Sequence, residues 1–472
     1  MLTNLHSRRD FFSFAAHGLG SVALTNLLMR DGGGLQAVTL PHAPGPAKRV
    51  IHIVLCGGLS QVDSFDYKPA LAKYHGKPLG GNEQPDVFFG KVGLLRKNDW
   101  EFKQRGQSGL WISDLFPHLA QVADKLTVIN SMFAETSNHT PATFQQNTGF
   151  RLNGFPVLGS WLSYGLGIET DRLPGYVVIP DTRGVPAGGS INWTNGFLSA
   201  RHQGVTMRAQ GTPIDDLFPA QAIGQKNEIA SRALLDSLNY KHLVRHAGED
   251  VLRARIKSYE LAAKMQLAVP EVAHFEAEPN HIHHLYGTDE KATVDFGRGC
   301  LMARRLLEEG VRFVQIFSGG AFGSPRINWD GHEDMIRNHN REARRIDKPI
   351  AGLLRDLDQR GMLDDTLVLF TSEFGRTPFA QSNAGTLGQG RDHNQNGFSV
   401  WMAGAGLRPG MKYGATDEVG YQAVDDRVSW HDFHATVLHL LGIDHERLTF
   451  YHNGIDRRLT NVHGDVVRGI LA

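Results

Sequence analysis

The chain has 472 residues, and lysine plus arginine equals aspartate plus glutamate at 49 each. That balance leaves no net field to gather nucleic acid or anionic lipid, so functions resting on bulk charge are excluded. The cysteines, Cys56 and Cys300, cannot staple a chain of this size and sit in apolar runs, where buried free thiols are expected. Histidine stands out at 23 residues, because imidazole is the commonest metal ligand.

At the start of the chain, Ser7-Arg8-Arg9-Asp10-Phe11-Phe12 sets paired arginines before a mildly apolar run from Phe12 to Leu28. The run is too short and too weakly apolar to span a membrane, and its order is that of an export signal of the twin-arginine kind. Residues 1–45 are therefore expected to be signal and linker, and residues 46–472 a single domain. The expected location is periplasmic or extracellular, reached through the twin-arginine export machinery. No stretch of 18 apolar residues predicts a stable membrane span.

Short runs rich in β-branched residues predict strands at Arg49–Leu55, Leu126–Ile129, Tyr176–Ile179, Val311–Phe317, Thr366–Thr371 and Phe398–Met402. Helical spacing predicts helices at Glu249–Leu267, Val294–Glu309 and Asn340–Arg360, the last two closed by Gly310 and Gly361. Strands alternating with helices predict an α/β fold, with a mostly parallel central sheet covered by helices on both faces. In such sheets ligands gather at the carboxyl ends of the strands.

The residues at those ends carry chemistry. Asp63 and Asp66, after Gly57-Gly58, are near enough to share a cation, although aspartate serves equally as a turn former. Asn138-His139-Thr140-Pro141 reads either as a helix start that favours an anion or nucleophile, or as a plain cap with Thr140 before Pro141. Asp330 and His332 lie two apart, Glu373 and Arg376 follow a strand, and His393 precedes one. Together these carboxylates and imidazoles predict a shared metal site, although each motif alone is as readily structural.

Over nearly its whole length the sequence resembles the exported bacterial family known as domain of unknown function 1501. The carrying segments include Gly57-Gly58-Leu59-Ser60-Gln61-Val62-Asp63, Gly106-Gln107-Ser108-Gly109-Leu110-Trp111, Asn138-His139-Thr140-Pro141 and Glu373-Phe374-Gly375-Arg376-Thr377-Pro378. The resemblance implies the sandwich of the alkaline-phosphatase/sulfatase superfamily. It places His139 where sulfatases carry their nucleophile, with Pro141 and Thr148-Gly149 at the matching spacing. Asp330, His332, Glu373 and His393 resemble the metal ligands, while Phe374 stands where a ligand histidine is ordinary. His139 and Thr143 occupy the two ends of the formylglycine motif, so standard sulfatase chemistry is not expected.

Two functions follow. One is a metal-dependent hydrolase of phosphate or sulfate esters, small or carbohydrate-borne. Asp63, Asp330, His332, Glu373 and His393 would hold one or two divalent ions, zinc or calcium. His139, or Thr140 in its place, would act as nucleophile or acid/base, and Arg376 would meet the anion. The other is a superfamily member that keeps the fold as a binding or scaffold protein after losing turnover.

Overall fold

The computed structural model describes residues 43–472 except 81–84, 86, 89–90, 216, 218–223, 247–249, 321, 323–325 and 383–384. The expected export signal lies outside the described residues except for 43–45. Chain contacts divide the molecule into two compact units. The smaller includes the helix Gln225–Arg245, whose described side chains are largely exposed, Leu235 and Tyr240 among them. The larger, Leu40–Ala220 with Leu261–Ala472, carries the sheets.

Its centre is an eight-stranded sheet. The strands are β1 (Arg49–Leu55), β2 (Leu126–Met132), β3 (Tyr176–Ile179), β4 (Val205–Thr206), β5 (Phe313–Ser318), β6 (Thr366–Ser372), β7 (Phe398–Gly404) and β8 (Met411–Tyr413). Their order is β8-β2-β7-β6-β1-β5-β3-β4. Each neighbouring pair is parallel except the two made by β7, which runs against both β2 and β6. Val50 to Leu55 are all buried, as two covered faces require.

One face packs Ile51, Ile53, Val314, Ile316 and Val368 against the helix Val294–Glu308 and the long helix Met335–Gln359. The opposite face packs Val50, Val54, Phe313, Phe317 and Leu369 against the helices Leu158–Leu166 and Trp430–Leu440. Here is the expected α/β class, with helices on both faces. The thiols of Cys56 and Cys300 are free and buried, as expected.

The reversed strand brings the site together. Residues after β1, β2, β5 and β6 leave the carboxyl edge of the parallel strands. Because β7 is antiparallel, its amino end lies at that same edge. After β6 the chain passes through a ribbon of Gly375–Ser382 and Arg391–Asn394, then enters β7 from this side. His393, which precedes its strand, thereby joins residues that follow theirs.

Candidate metal centre

Two glycines let the loops close on one another. Gly57 has a φ of +120°, and a Cβ there would lie 2.5 Å from the Asp330 backbone nitrogen. Only glycine permits both that conformation and that approach. A Cβ on Gly390 would sit 1.6 Å from the His332 carbonyl oxygen, so a bare backbone there lets the His332 loop press on the ribbon.

Helix α1 (His139–Thr148) supplies His139 in its first turn. It starts earlier than a cap at Thr140 would place it. Asn138 is the N-cap, its side-chain oxygen accepting from the Thr140 backbone N–H at 3.3 Å. Pro141 then falls within the first turn, where a missing N–H costs no helical bond.

The side chains of His139, Asp330, His332 and His393 converge, one donor atom from each lying within 4.8 Å of all the others. The Nε2 atoms of His332, His139 and His393 stand 2.7, 3.4 and 3.4 Å from Asp330 Oδ1. His332 Nε2 and His393 Nε2 are 2.8 Å apart. Asp330, His332 and His393 are buried, and His139 is largely so.

Each imidazole is held from behind through Nδ1. His139 Nδ1 donates to Glu373 Oε1 at 2.7 Å, and His393 Nδ1 donates to the Ser137 carbonyl at 2.6 Å. His332 Nδ1 donates to Gln381 Oε1. In the Nδ1–H tautomer a neutral imidazole turns its Nε2 lone pair outward, and all three Nε2 atoms point toward one carboxylate oxygen, Asp330 Oδ1. His139 Nε2 is buried with no hydrogen-bond partner among the described residues. Electron pairs facing electron pairs are unfavourable unless a cation lies between them. This back-bonded arrangement is the one that metal-ligating histidines adopt. Four donors each 2.0–2.1 Å from a tetrahedral ion lie about 3.3 Å apart. Two of the Asp330 separations already match, and the two short ones, His332 to Asp330 at 2.7 Å and His332 to His393 at 2.8 Å, need to open by about half an ångström.

The electrostatics agree. Burial opposes the Asp330 carboxylate, but the Arg376 guanidinium, and then the three imidazoles gathered around it, hold it ionised well below the usual range. Burial, aided by Arg376 and the neighbouring imidazoles, pushes His393 well below its ordinary value, so it is a neutral donor.

The remaining expected site residues take other places. Asp63 is not in the cluster: its Oδ2 is 2.7 Å from Arg391 Nε, and both side chains are fully buried. Glu373 also stands outside the donor set, because Oε1 accepts from His139 and, at 2.7 Å, from the Gly57 N–H. Arg376 is buried, donating to the carbonyls of Gly57, Gly58 and Arg391 and, at 2.7 Å, to Asp330. Those bonds use four of its five N–H donors, and full burial closes the guanidinium to an anion from solvent. Thr140 follows His139, with its side chain partly exposed.

Phe374, at the position of an ordinary ligand histidine, lies against the imidazoles of His139 and His393. Other neighbours were not expected from the sequence: Phe322 stacks on His139 with ring centres 3.8 Å apart, and Phe88 stacks on His393 at 4.9 Å. Arg326 pairs with Asp330 Oδ2 and remains partly exposed. A phenylalanine on a loop carries no sequence signal of this kind. The arginine four residues before Asp330 is a charge spacing that was open to notice.

The model of the family described as "Protein of unknown function (DUF1501)" matches residues 47–471. No curated protein matches the chain. The chain is similar to solved structures of sulfatase and alkaline-phosphatase type. The PsFucS1 sulfatase from Pseudoalteromonas sp. is 14% identical, with 94% of this chain and 74% of that chain covered and a TM-score of 0.35. Alkaline phosphatase from the Antarctic bacterium TAB5 is 11% identical, covering 80% and 96%, with a TM-score of 0.34. The C-terminal periplasmic domain of EcEptC from Escherichia coli, solved in complex with Zn, is 10% identical, covering 85% and 84%, with a TM-score of 0.35.

Proposed function

The chain belongs to the DUF1501 family, and from that premise we propose an exported, metal-dependent hydrolase of phosphate or sulfate esters. Residues 46–472 work as one domain behind a twin-arginine signal at 1–45, for which the paired Arg8 and Arg9 speak. No helix among the described residues is long and apolar enough to cross a membrane.

One observation carries the reading. Three imidazole nitrogens and one carboxylate oxygen converge, each imidazole bonded from behind through Nδ1. Three nitrogens and one oxygen suit a zinc-like ion, whereas calcium takes six to eight oxygens. A divalent ion bound there supplies Lewis-acid polarisation of an ester oxygen. His139 is then a ligand and not the nucleophile; the Thr140 hydroxyl is the group that attacks the phosphorus or sulfur, the ester alcohol leaves with the proton Thr140 gives up, and water then frees the anion from Thr140. Glu373 fixes the tautomer of His139, and Arg376 keeps Asp330 ionised. Arg326, at the rim, is the guanidinium that meets an anionic ester, small or carbohydrate-borne. With His139 and Thr143 at the two formylglycine positions, the chemistry is not that of a standard sulfatase.

Four protein donors around one ion also describe a closed, structural site. That favours a second reading, a binding or scaffold protein that holds metal without turning over. Metal analysis of purified protein, followed by assays on aryl phosphates and aryl sulfates, decides between them. The hydrolase reading expects one tightly held zinc-like ion and ester hydrolysis, both lost in His332→Ala and His393→Ala, with hydrolysis alone lost in Thr140→Ala. A bound ion without hydrolysis of any ester leaves the second reading. Protein that takes up no ion rules out both.

A further inference from the structure

Behind the metal centre lies a buried polar row that the proposed chemistry does not use. On the sheet face otherwise built from Val50, Val54, Phe313, Phe317, Leu367 and Leu369, three strands present polar side chains: His52 on β1, Gln315 on β5 and Thr371 on β6. Helix α1 answers with Gln146 and Asn147. All five are at most 2% exposed.

The bonds run directly from helix to sheet. Gln146 Nε2 donates to Thr371 Oγ1 at 2.5 Å, and Gln315 Nε2 donates to Asn147 Oδ1 at 2.8 Å. From below, the Tyr176 hydroxyl donates to Gln315 Oε1 at 2.6 Å, and His52 Nε2 lies 2.8 Å from Thr371 Oγ1. Gln315 Nε2 also reaches His52 Nδ1 at 3.4 Å, which makes Nδ1 the acceptor and Nε2–H the donor to Thr371.

Burying this many polar groups costs free energy that an apolar interface would not incur, and their hydrogen bonds do no more than recover it. What the bonds add is direction. Apolar surfaces tolerate a helix that slides or rolls, whereas these bonds hold at one register only. Gln146 and Asn147 lie seven and eight positions after His139, two helical turns along the same stripe. Their anchorage therefore sets the height and rotation of His139 at the sheet edge. Ligand geometry of this kind must be held to within about 0.5 Å.

We infer that Thr371, Gln146, Asn147 and Gln315, with His52 behind them, are positioning residues for His139, locking helix α1 in the register that delivers Nε2 to the ion. The inference rests on the metal-centre reading. Its test uses the full chain, with zinc affinity measured by chelator competition and coordination read from the visible spectrum of the cobalt-loaded protein. Thr371→Val keeps the shape and removes the hydroxyl. It is expected to weaken zinc binding by about 10–100-fold and to shift the cobalt spectrum, while Thr371→Ser restores both. If Thr371→Val does not fold, Gln146→Met, which leaves Thr371 partnered by His52, is read in the same way. Wild-type affinity and an unchanged cobalt spectrum in the folded variant overturn the inference alone. Wild-type protein that binds neither ion overturns the metal-centre reading and the inference with it.

Discussion

Two polar clusters sit at the same edge of the central sheet, and they are built on opposite rules. Beyond β3, the buried carboxylates of Asp181 and Glu342 meet the guanidiniums of Arg183 and Arg345. Arg183 Nη2 stands 2.9 Å from Asp181 and 2.6 Å from Glu342, and Arg345 Nη1 stands 3.0 Å from Asp181. Burial opposes the Asp181 charge, but Arg183 and Arg345 outweigh it and hold the carboxyl below the usual range. There every acceptor faces a donor. At the metal centre, imidazole Nε2 atoms face one another and a carboxylate oxygen. Density of charged and imidazole groups does not separate a site from a brace. The separating feature is what surrounds the carboxylate: guanidiniums at Asp181, and three converging imidazole nitrogens at Asp330.

Single buried imidazoles give the largest expected effect, and they sharpen the contrast because they do not converge on one another. Burial first, then the neighbouring His434, lowers His52 to about 3. His339 is lowered to about 3 by burial and then Arg376, and His434 to about 3 by burial and then His431. All three are neutral in the folded protein and take up a proton on unfolding below about pH 6.5. Their contribution to stability is therefore complete above pH 6.5 and is lost as pH falls from there toward 3. Three protons correspond to about 4 kcal/mol per pH unit within that window. Denaturant melts at a series of pH values would show a flat stability near neutrality and a steep acid limb. A limb that begins only near pH 4 would show that these imidazoles do not govern it.

Cutting the charge-matched cluster should come next. Asp181→Ala leaves Arg183 and Arg345 short of a partner and should cost about 3–5 kcal/mol in chemical denaturation. Metal content should not change. Added zinc should do the reverse. At a hundred times its Kd it should stabilise wild type and Asp181→Ala by about 2.7 kcal/mol, and His332→Ala not at all. A zinc response that survives His332→Ala but disappears in Asp181→Ala would invert the comparison.

How far the sequence disclosed this arrangement follows from what each signal encodes. The strands and long helices were legible because apolar periodicity is local. The helix Met335–Gln359 begins five residues before the expected Asn340 because Asp334 caps it, its side chain accepting from the Arg337 N–H at 3.0 Å. Asp330, His332 and His393 were legible as donors next to strands. Their meeting depends on the reversed direction of β7, which no local pattern states. The places of Asp63 and Arg376 were not legible, since a carboxylate beside a glycine turn looks the same whether its partner is a metal or Arg391. His139 was singled out by position and expected as nucleophile or acid/base, because sequence spacing does not show that Nδ1 is tied to Glu373 and Nε2 faces Asp330.

Glu373 is where the two rules meet, and it gives the smallest and most discriminating prediction. It is a buried carboxylate, like Asp181, yet neither bond to Oε1 comes from a guanidinium: the donors are the Gly57 N–H at 2.7 Å and His139 Nδ1 at 2.7 Å. If it serves the metal centre, its charge makes His139 a better electron donor at Nε2, and the benefit is felt only when an ion is present. Glu373→Gln keeps the size and one carbonyl acceptor but removes the charge. Zinc affinity should fall by about 10–100-fold, or about 1.4–2.7 kcal/mol, with the metal-free protein melting close to wild type. If Glu373 is instead a brace of the Asp181 kind, the metal-free protein should lose stability and zinc affinity should hold. Measuring both quantities on the same variant assigns Glu373 to one rule or the other.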